Sequence, residues 1–142
     1  MFLGAVKEGF IKGLKTALML LKIMIPIYVL IVVLKHTPVF DLLADFFRPA
    51  MAIFNLPGDA IIPIISGIFG DEYTVIAAMS AFSFDKAAIT TIAMMILSCH
   101  SIPVETAITL KIGMPAWKIT IYRFVLSILT GLFVGFLGGI IL

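Results

Sequence analysis

From Ile119 to Leu142 the chain carries one charged side chain, Arg123, together with four glycines. About 20 such residues cross the hydrocarbon core of a bilayer as a helix, and a helix that is apolar all round has no face to offer water. The rest of the chain cannot solvate this segment, because it is apolar as well: 62% of 142 residues are hydrophobic and 13% are charged, with a mean hydropathy of +1.22. Soluble domains average about 25% charged residues. A water-soluble globule, a disordered chain and a nucleic-acid-binding domain are therefore excluded as readings. The expected fold is all-α and polytopic in a lipid bilayer, with room for about four passes at most. The net charge of +2 suggests no polyanionic partner, and the lone Cys99 forms no internal disulfide.

The remaining segments are shorter or interrupted. In residues 1–22 the charges Lys7, Glu8, Lys12, Lys15 and Lys22 fall within an arc of about 140° at 100° per residue, opposite Phe2, Leu3, Val6, Phe10, Leu14, Ala17 and Leu21. This predicts an amphipathic helix at the membrane interface. It leads into the first span core, 23–34, which contains Pro26. Lys35, His36, Thr37 and Pro38 follow with no small-x-small cleavage pattern, so this run reads as a retained anchor. Thr37-Pro38 then reads as an N-cap with Pro at the first helical position, opening a second interfacial helix over 37–49 that stops near Pro49. Asp41, Asp45 and Arg48 share one face of it, expected to be solvated.

From Met51 to Phe84, a stretch containing the predicted hairpin 56–84, the apolar sequence breaks at Asn55 to Asp59, at Pro63, Ser66 and Gly67, and at Gly70-Asp71-Glu72. The intact pieces, 61–69 and 73–82, are half of a span each, which predicts a re-entrant helical hairpin. One unbroken helix would leave Asp71 and Glu72 in lipid at roughly 2.5 kcal/mol or more per carboxylate. A broken helix follows over 87–113, interrupted at Cys99-His100-Ser101 and at Pro103, and the last span covers 119–142. In that span Gly131, Gly135, Gly138 and Gly139 have small-xxx-small spacing, explained as well by packing within the chain as by dimerisation. Tyr122 and Arg123 are expected at an interface. With the hairpin returning to its starting side, seven basic residues (Lys7, Lys12, Lys15, Lys22, Lys111, Lys118, Arg123) face three (Lys35, Arg48, Lys86), which favours a cytoplasmic N-terminus.

Polar groups inside a membrane cost free energy unless satisfied, so the informative residues are those at the two breaks. Broken helices expose backbone N–H and C=O groups, and in transporters such ends bind substrates and ions. The candidate substrate-binding residues are Ser66, Asp71, His100, Ser101 and Glu105. The alternative is that the serines cap short helices, His100 bonds a backbone carbonyl and the acids sit in interfacial water. Asp59, after the turn pair Pro57-Gly58, is expected to complement a helix N-terminus. No Walker loop, Gly-x-Ser-x-Gly elbow or His-Glu-x-x-His is present, so no catalytic residue and no cofactor are assigned. His100 and Glu105 lie five apart across a Pro, which is not metal-ligand spacing on one helix face, and no metal site is assigned.

Leu56-Pro57-Gly58-Asp59-Ala60, Ile62-Pro63-Ile64-Ile65-Ser66-Gly67 and Gly70 resemble the hairpin motif of the Gate, or nucleoside recognition, domain. Its motif positions here are Pro57, Gly58, Pro63, Gly67 and Gly70. Cys99-His100-Ser101-Ile102-Pro103-Val104-Glu105 and Lys111-Ile112-Gly113 are similar to that family's second signature. The resemblance covers roughly residues 14 to 125. The family includes spore maturation proteins A and B, the membrane part of ferrous-iron transporter B and, more distantly, concentrative nucleoside transporters. It implies a helical membrane domain in a prokaryotic cell membrane, with a re-entrant hairpin, that transports or gates a small polar solute. The iron transporter has a Cys shortly after its Gly-Phe-Gly, whereas Gly67-Ile68-Phe69-Gly70-Asp71 has none, which weighs against iron. Larger relatives hold two repeats, so a single copy is expected to act as a homodimer, an antiparallel one included, or with a second Gate-type chain. A non-transporting scaffold or assembly subunit is the competing class.

Overall fold

The computed structural model describes residues 2–141. Met1 and Leu142, the outer ends of the predicted segments 1–22 and 119–142, lie outside the described residues, as do the side chains of Phe2, Leu3 and Lys35 and the surroundings of Gly139. Seven α-helices make up the described chain: α1 (Phe2–Lys35), α2 (Pro38–Ala52), α3 (Ile61–Phe69), α4 (Glu72–Ser80), α5 (Lys86–Ser98), α6 (Ile102–Lys111) and α7 (Ala116–Ile141). A 3-10 turn, Gly58–Ala60, leads into α3, and no strand occurs among the described residues.

α1 continues through Pro26 and, at 1.5 Å per residue, its 34 residues extend about 51 Å, well beyond the roughly 30 Å of a hydrocarbon core. Thr37 caps α2 in position but not in chemistry. Its extended backbone (φ −112°, ψ 148°) starts the helix, yet its hydroxyl donates backwards to the Leu34 carbonyl at 2.7 Å. α2 also runs three residues past Pro49, where the sequence predicts its end. The proline removes one N–H, but Asp45 and Pro49 lie on the exposed side, where a carbonyl without a helical partner is cheap. Asp41, Asp45 and Arg48 are exposed as expected, with Asp45 and Arg48 paired at 2.5 Å.

Among the described residues two stretches are long and apolar enough to cross a membrane: Lys86–Lys111, which is α5 and α6 taken together, and Ala116–Gly138 within α7. Met24–Leu34 and Pro38–Ala52 make a third only if taken as one span across an 87° bend. α5 forms the centre, with Thr91 and Ile92 almost wholly buried, and the Thr91 hydroxyl is satisfied by the Ala87 carbonyl at 2.9 Å. α7 runs antiparallel along the broken α5–α6 span. Its Gly138 meets Ala87, its Gly131 meets Met95, its Ser127 donates to the Met95 carbonyl at 2.9 Å, and its Thr120 bonds Thr106. α3 and α4 pack against each other and against α5, with α1 over α4 and α2 beside the 3-10 turn.

Gly131, Gly135 and Gly138 of α7 are thus used inside the chain. A β-carbon at Gly135 would lie 2.1 Å from the Phe54 carbonyl oxygen, a backbone atom that cannot step aside. Gly135→Ala is expected to destabilise by about 1–3 kcal/mol through overpacking, although alanine is the better helix former by about 1 kcal/mol. Gly9→Ala, where nothing lies within 4 Å, should leave stability unchanged or slightly raised. Thermal unfolding of both variants in detergent checks the contrast.

Candidate functional site at the crossing of two broken helices

α3 ends at Gly70 because two consecutive residues leave the helical region: Gly70 (φ −103°, ψ −145°) and Asp71 (φ −125°, ψ −178°). α4 restarts at once, since the Asp71 carboxylate accepts from the Thr74 N–H at 2.9 Å and from the Thr74 hydroxyl at 2.7 Å. α5 ends at Cys99, and Ser101 takes a left-handed conformation (φ 48°, ψ 36°) from which α6 begins. Both breaks follow from local sequence. Their meeting is a tertiary result.

Ser101 joins them. Its N–H donates to the Gly67 carbonyl at 3.0 Å and its hydroxyl to the Gly70 carbonyl at 2.6 Å, while Gly70 N–H returns to the Ser66 carbonyl at 2.8 Å. Carbonyls left without partners at the end of α3 are in this way satisfied from the break between α5 and α6. Close approach depends on Gly67, where a β-carbon would fall 2.5 Å from Val75 Cγ2 and 2.7 Å from Ile96 Cδ1.

α7 supplies the other half of the closure through Arg123, whose side chain is 15% exposed. Its Nε donates to the Ser98 carbonyl at 3.0 Å, one terminal nitrogen to the His100 carbonyl at 3.0 Å, and the other to Glu105 Oε2. The planar fork of the guanidinium suits three acceptors in different directions. His100 sits between, with Nδ1 on the Ile96 carbonyl at 3.1 Å and Nε2 at 3.0 Å from Glu72 Oε1 and 3.4 Å from Glu105 Oε1. Charges complement the helix ends throughout: Asp71, Glu72 and Glu105 lie at the N-termini of α4 and α6, and Arg123 lies on the last carbonyls of α5.

Of the sequence-predicted residues, the fold brings His100, Ser101 and Glu105 together. Asp71 is occupied as the α4 cap, and Ser66 bonds backwards within α3 to the Ile62 carbonyl at 2.7 Å. Among the motif positions, Gly67 and Gly70 lie at this crossing. Pro63 is buried in α3, and Pro57 and Gly58 lie by α2, where a β-carbon on Gly58 would meet the Ala44 carbonyl oxygen at 2.3 Å. Asp59 makes no cap hydrogen bond to α3, and its Oδ1 is buried without a hydrogen-bond partner.

Two members of the cluster lie outside the predicted candidate set, although the sequence marks Glu72 beside Asp71 at the first break. Glu72, rather than Asp71, reaches His100. The available signal was the Asp71-x-x-Thr74 spacing, which marks Asp71 as a cap and leaves its neighbour free. Arg123, expected at an interface, is instead turned onto the helix break, because a cation in an apolar helix is stabilised most by an opposite charge and free carbonyls. Among the described residues no His, Cys, Asp or Glu group has the geometry of a metal centre.

The chain matches the Gate family, described as nucleoside recognition, over residues 17–118. It is 31% identical over 105 residues to the uncharacterized membrane protein YvoD of Bacillus subtilis (strain 168), a match that covers 74% of this chain and 34% of that protein. The chain therefore spans about a third of the relative's length. No solved structure matches it. The family is associated with transport and membrane proteins rather than with catalysis. With the match extending across both broken helices and into the start of α7, the chain belongs to the Gate, or nucleoside recognition, family of membrane proteins.

Proposed function

We propose that this protein is a transport or gating domain that binds a small polar solute, nucleoside-like or ionic, beside the crossing of α3–α4 and α5–α6. The observation that carries the reading is the convergence of four helix ends on His100 and Ser101. Such ends present oriented dipoles and backbone groups to a ligand without the cost of unfolding a helix around it. α3 and α4 act as a re-entrant hairpin, and the N-terminus faces the cytoplasm of a prokaryotic cell. The side chains of Glu72 and Glu105 stay 46% and 41% exposed in the single chain. Such carboxylates are stable beside water or a partner chain but not against lipid, which supports a water-accessible site closed by a second copy or a second Gate-type chain.

The test is a thermal-shift screen in detergent with nucleosides, nucleobases, amino acids and divalent cations, since a ligand that binds only the folded state raises the melting temperature. One chemical class is expected to give a shift of several degrees that is lost in His100→Ala and Glu105→Gln, with native mass spectrometry of the same sample showing a dimer. The scaffold reading has its own support, because Ser66, Asp71, Ser101 and Glu105 each have a partner within the chain. No ligand shift, with both variants merely less stable, would decide for it.

A further inference from the structure

His100 is held by groups whose hydrogen-bonding roles are not free to vary. Its Nδ1 lies 3.1 Å from the Ile96 carbonyl oxygen, which can only accept, so Nδ1 carries a hydrogen. A neutral imidazole then has a bare lone pair at Nε2. That lone pair faces Glu72 Oε1 at 3.0 Å and Glu105 Oε1 at 3.4 Å. Ionised carboxylates are acceptors only, so three acceptors would point at one another in a site where the His100 side chain is 21% exposed. One added proton removes the conflict, whether it resides on Nε2 or on one of the two carboxyl groups.

We propose that Glu72, His100 and Glu105 form a binding site for one proton, taken up from water and shared across the gap between α4 and the α5–α6 break. The surrounding charges agree with this occupancy. Arg123 from α7 neutralises Glu105 through the other carboxylate oxygen. α3 brings carbonyl groups and no titratable side chain, and the neighbouring Cys99 is buried. With two carboxylates, one guanidinium and one added proton the cluster is neutral, and without the proton it carries one negative charge.

Coupling of this proton to solute access, and only that coupling, rests on the transport reading. Glu72 lies on α4 and His100 on the α5–α6 break, so losing the proton turns their attraction into repulsion and loosens α4 from the break. Proton occupancy would then govern access to the solute site.

The test needs no solute. The chain has two histidines, His36, which is exposed, and His100. The full protein labelled with 15N-histidine, reconstituted in lipid nanodiscs, is followed by long-range 15N–1H NMR from pH 5 to 9, and the His36→Gln variant assigns the signals. Nδ1 of His100 is expected to stay protonated across the range, with the added proton appearing as a doubly protonated ring. If it rests on a carboxyl group, an infrared carboxylic C=O band lost in Glu72→Gln or Glu105→Gln marks the same site. Glu72→Gln should alter the pH profile of the His100 signals while leaving the His36 signals unmoved. A neutral His100 with its hydrogen on Nε2 and a bare Nδ1 would overturn the proposal in the unaltered protein, before any variant is made. A His100 titration indifferent to both Glu72→Gln and Glu105→Gln would overturn it as well. A failed solute screen with a positive proton result would remove the transport reading and leave the proton site standing.

Discussion

Arg123→Met is expected to destabilise the protein by about 2–3 kcal/mol. The guanidinium serves three acceptors at once, the Ser98 and His100 carbonyls and the Glu105 carboxylate. Methionine fills comparable space and donates to none of them. Removing one partner from a fully buried ion pair costs about 3–5 kcal/mol, and partial exposure of Glu105, at 41%, allows water to recover some of that. Arg123→Lys should recover only part, because an ammonium keeps the charge but not the planar fork. A double variant, Arg123→Met with Glu105→Gln, should be less destabilised than the sum of the single changes by about 1 kcal/mol, since the uncompensated carboxylate is gone. Thermal and denaturant unfolding in a mild detergent supply the measurements. An Arg123→Met protein within about 0.5 kcal/mol of the parent would mean that the three contacts contribute little.

Ser101→Val should cost about 2–4 kcal/mol through two separate losses. Without the hydroxyl, the Gly70 carbonyl loses its donor, worth about 1–3 kcal/mol when the acceptor is left unsatisfied. Valine must also adopt φ 48°, ψ 36°, a strain that serine already bears, and β-branching adds roughly 1 kcal/mol to it because such residues suit this region least. The comparison series separates these contributions. Ser101→Gly loses the hydroxyl but relieves the backbone, so it should be the mildest, with Ser101→Ala between. If glycine and valine proved equally damaging, the left-handed backbone would not be the source of the difference.

Much of the helical outline is legible because its causes are local. Gly70-Asp71 cannot continue a helix but can begin the next one, since Asp71 has Thr74 three residues on to cap. Cys99-His100-Ser101 followed by Pro103 likewise marks an end and a beginning. The end of α2 was less legible, because the cost of Pro49 depends on whether the carbonyl it leaves without a partner is buried, and only packing decides that. The same limit applies to the two acids at Gly70. Asp71 and Glu72 are adjacent and chemically alike, yet one is used by its own helix and the other reaches across to His100.

The sequence by itself determined that this chain is an all-helical membrane protein whose middle is made of half-length and broken elements, with a cluster of polar residues at each break. Those properties come from hydrophobicity summed over segments and from backbone preferences that act within a few residues. Tertiary structure alone decided which polar groups meet. Arg123 closes onto Glu105 and the last carbonyls of α5, Ser101 onto the last carbonyls of α3, and Glu72 onto His100. The physical reason is that a lone charge in an apolar helix specifies the need for a partner but not its address, which is set by the antiparallel run of α7 along the broken span and by glycines that let α3 and α7 approach closely.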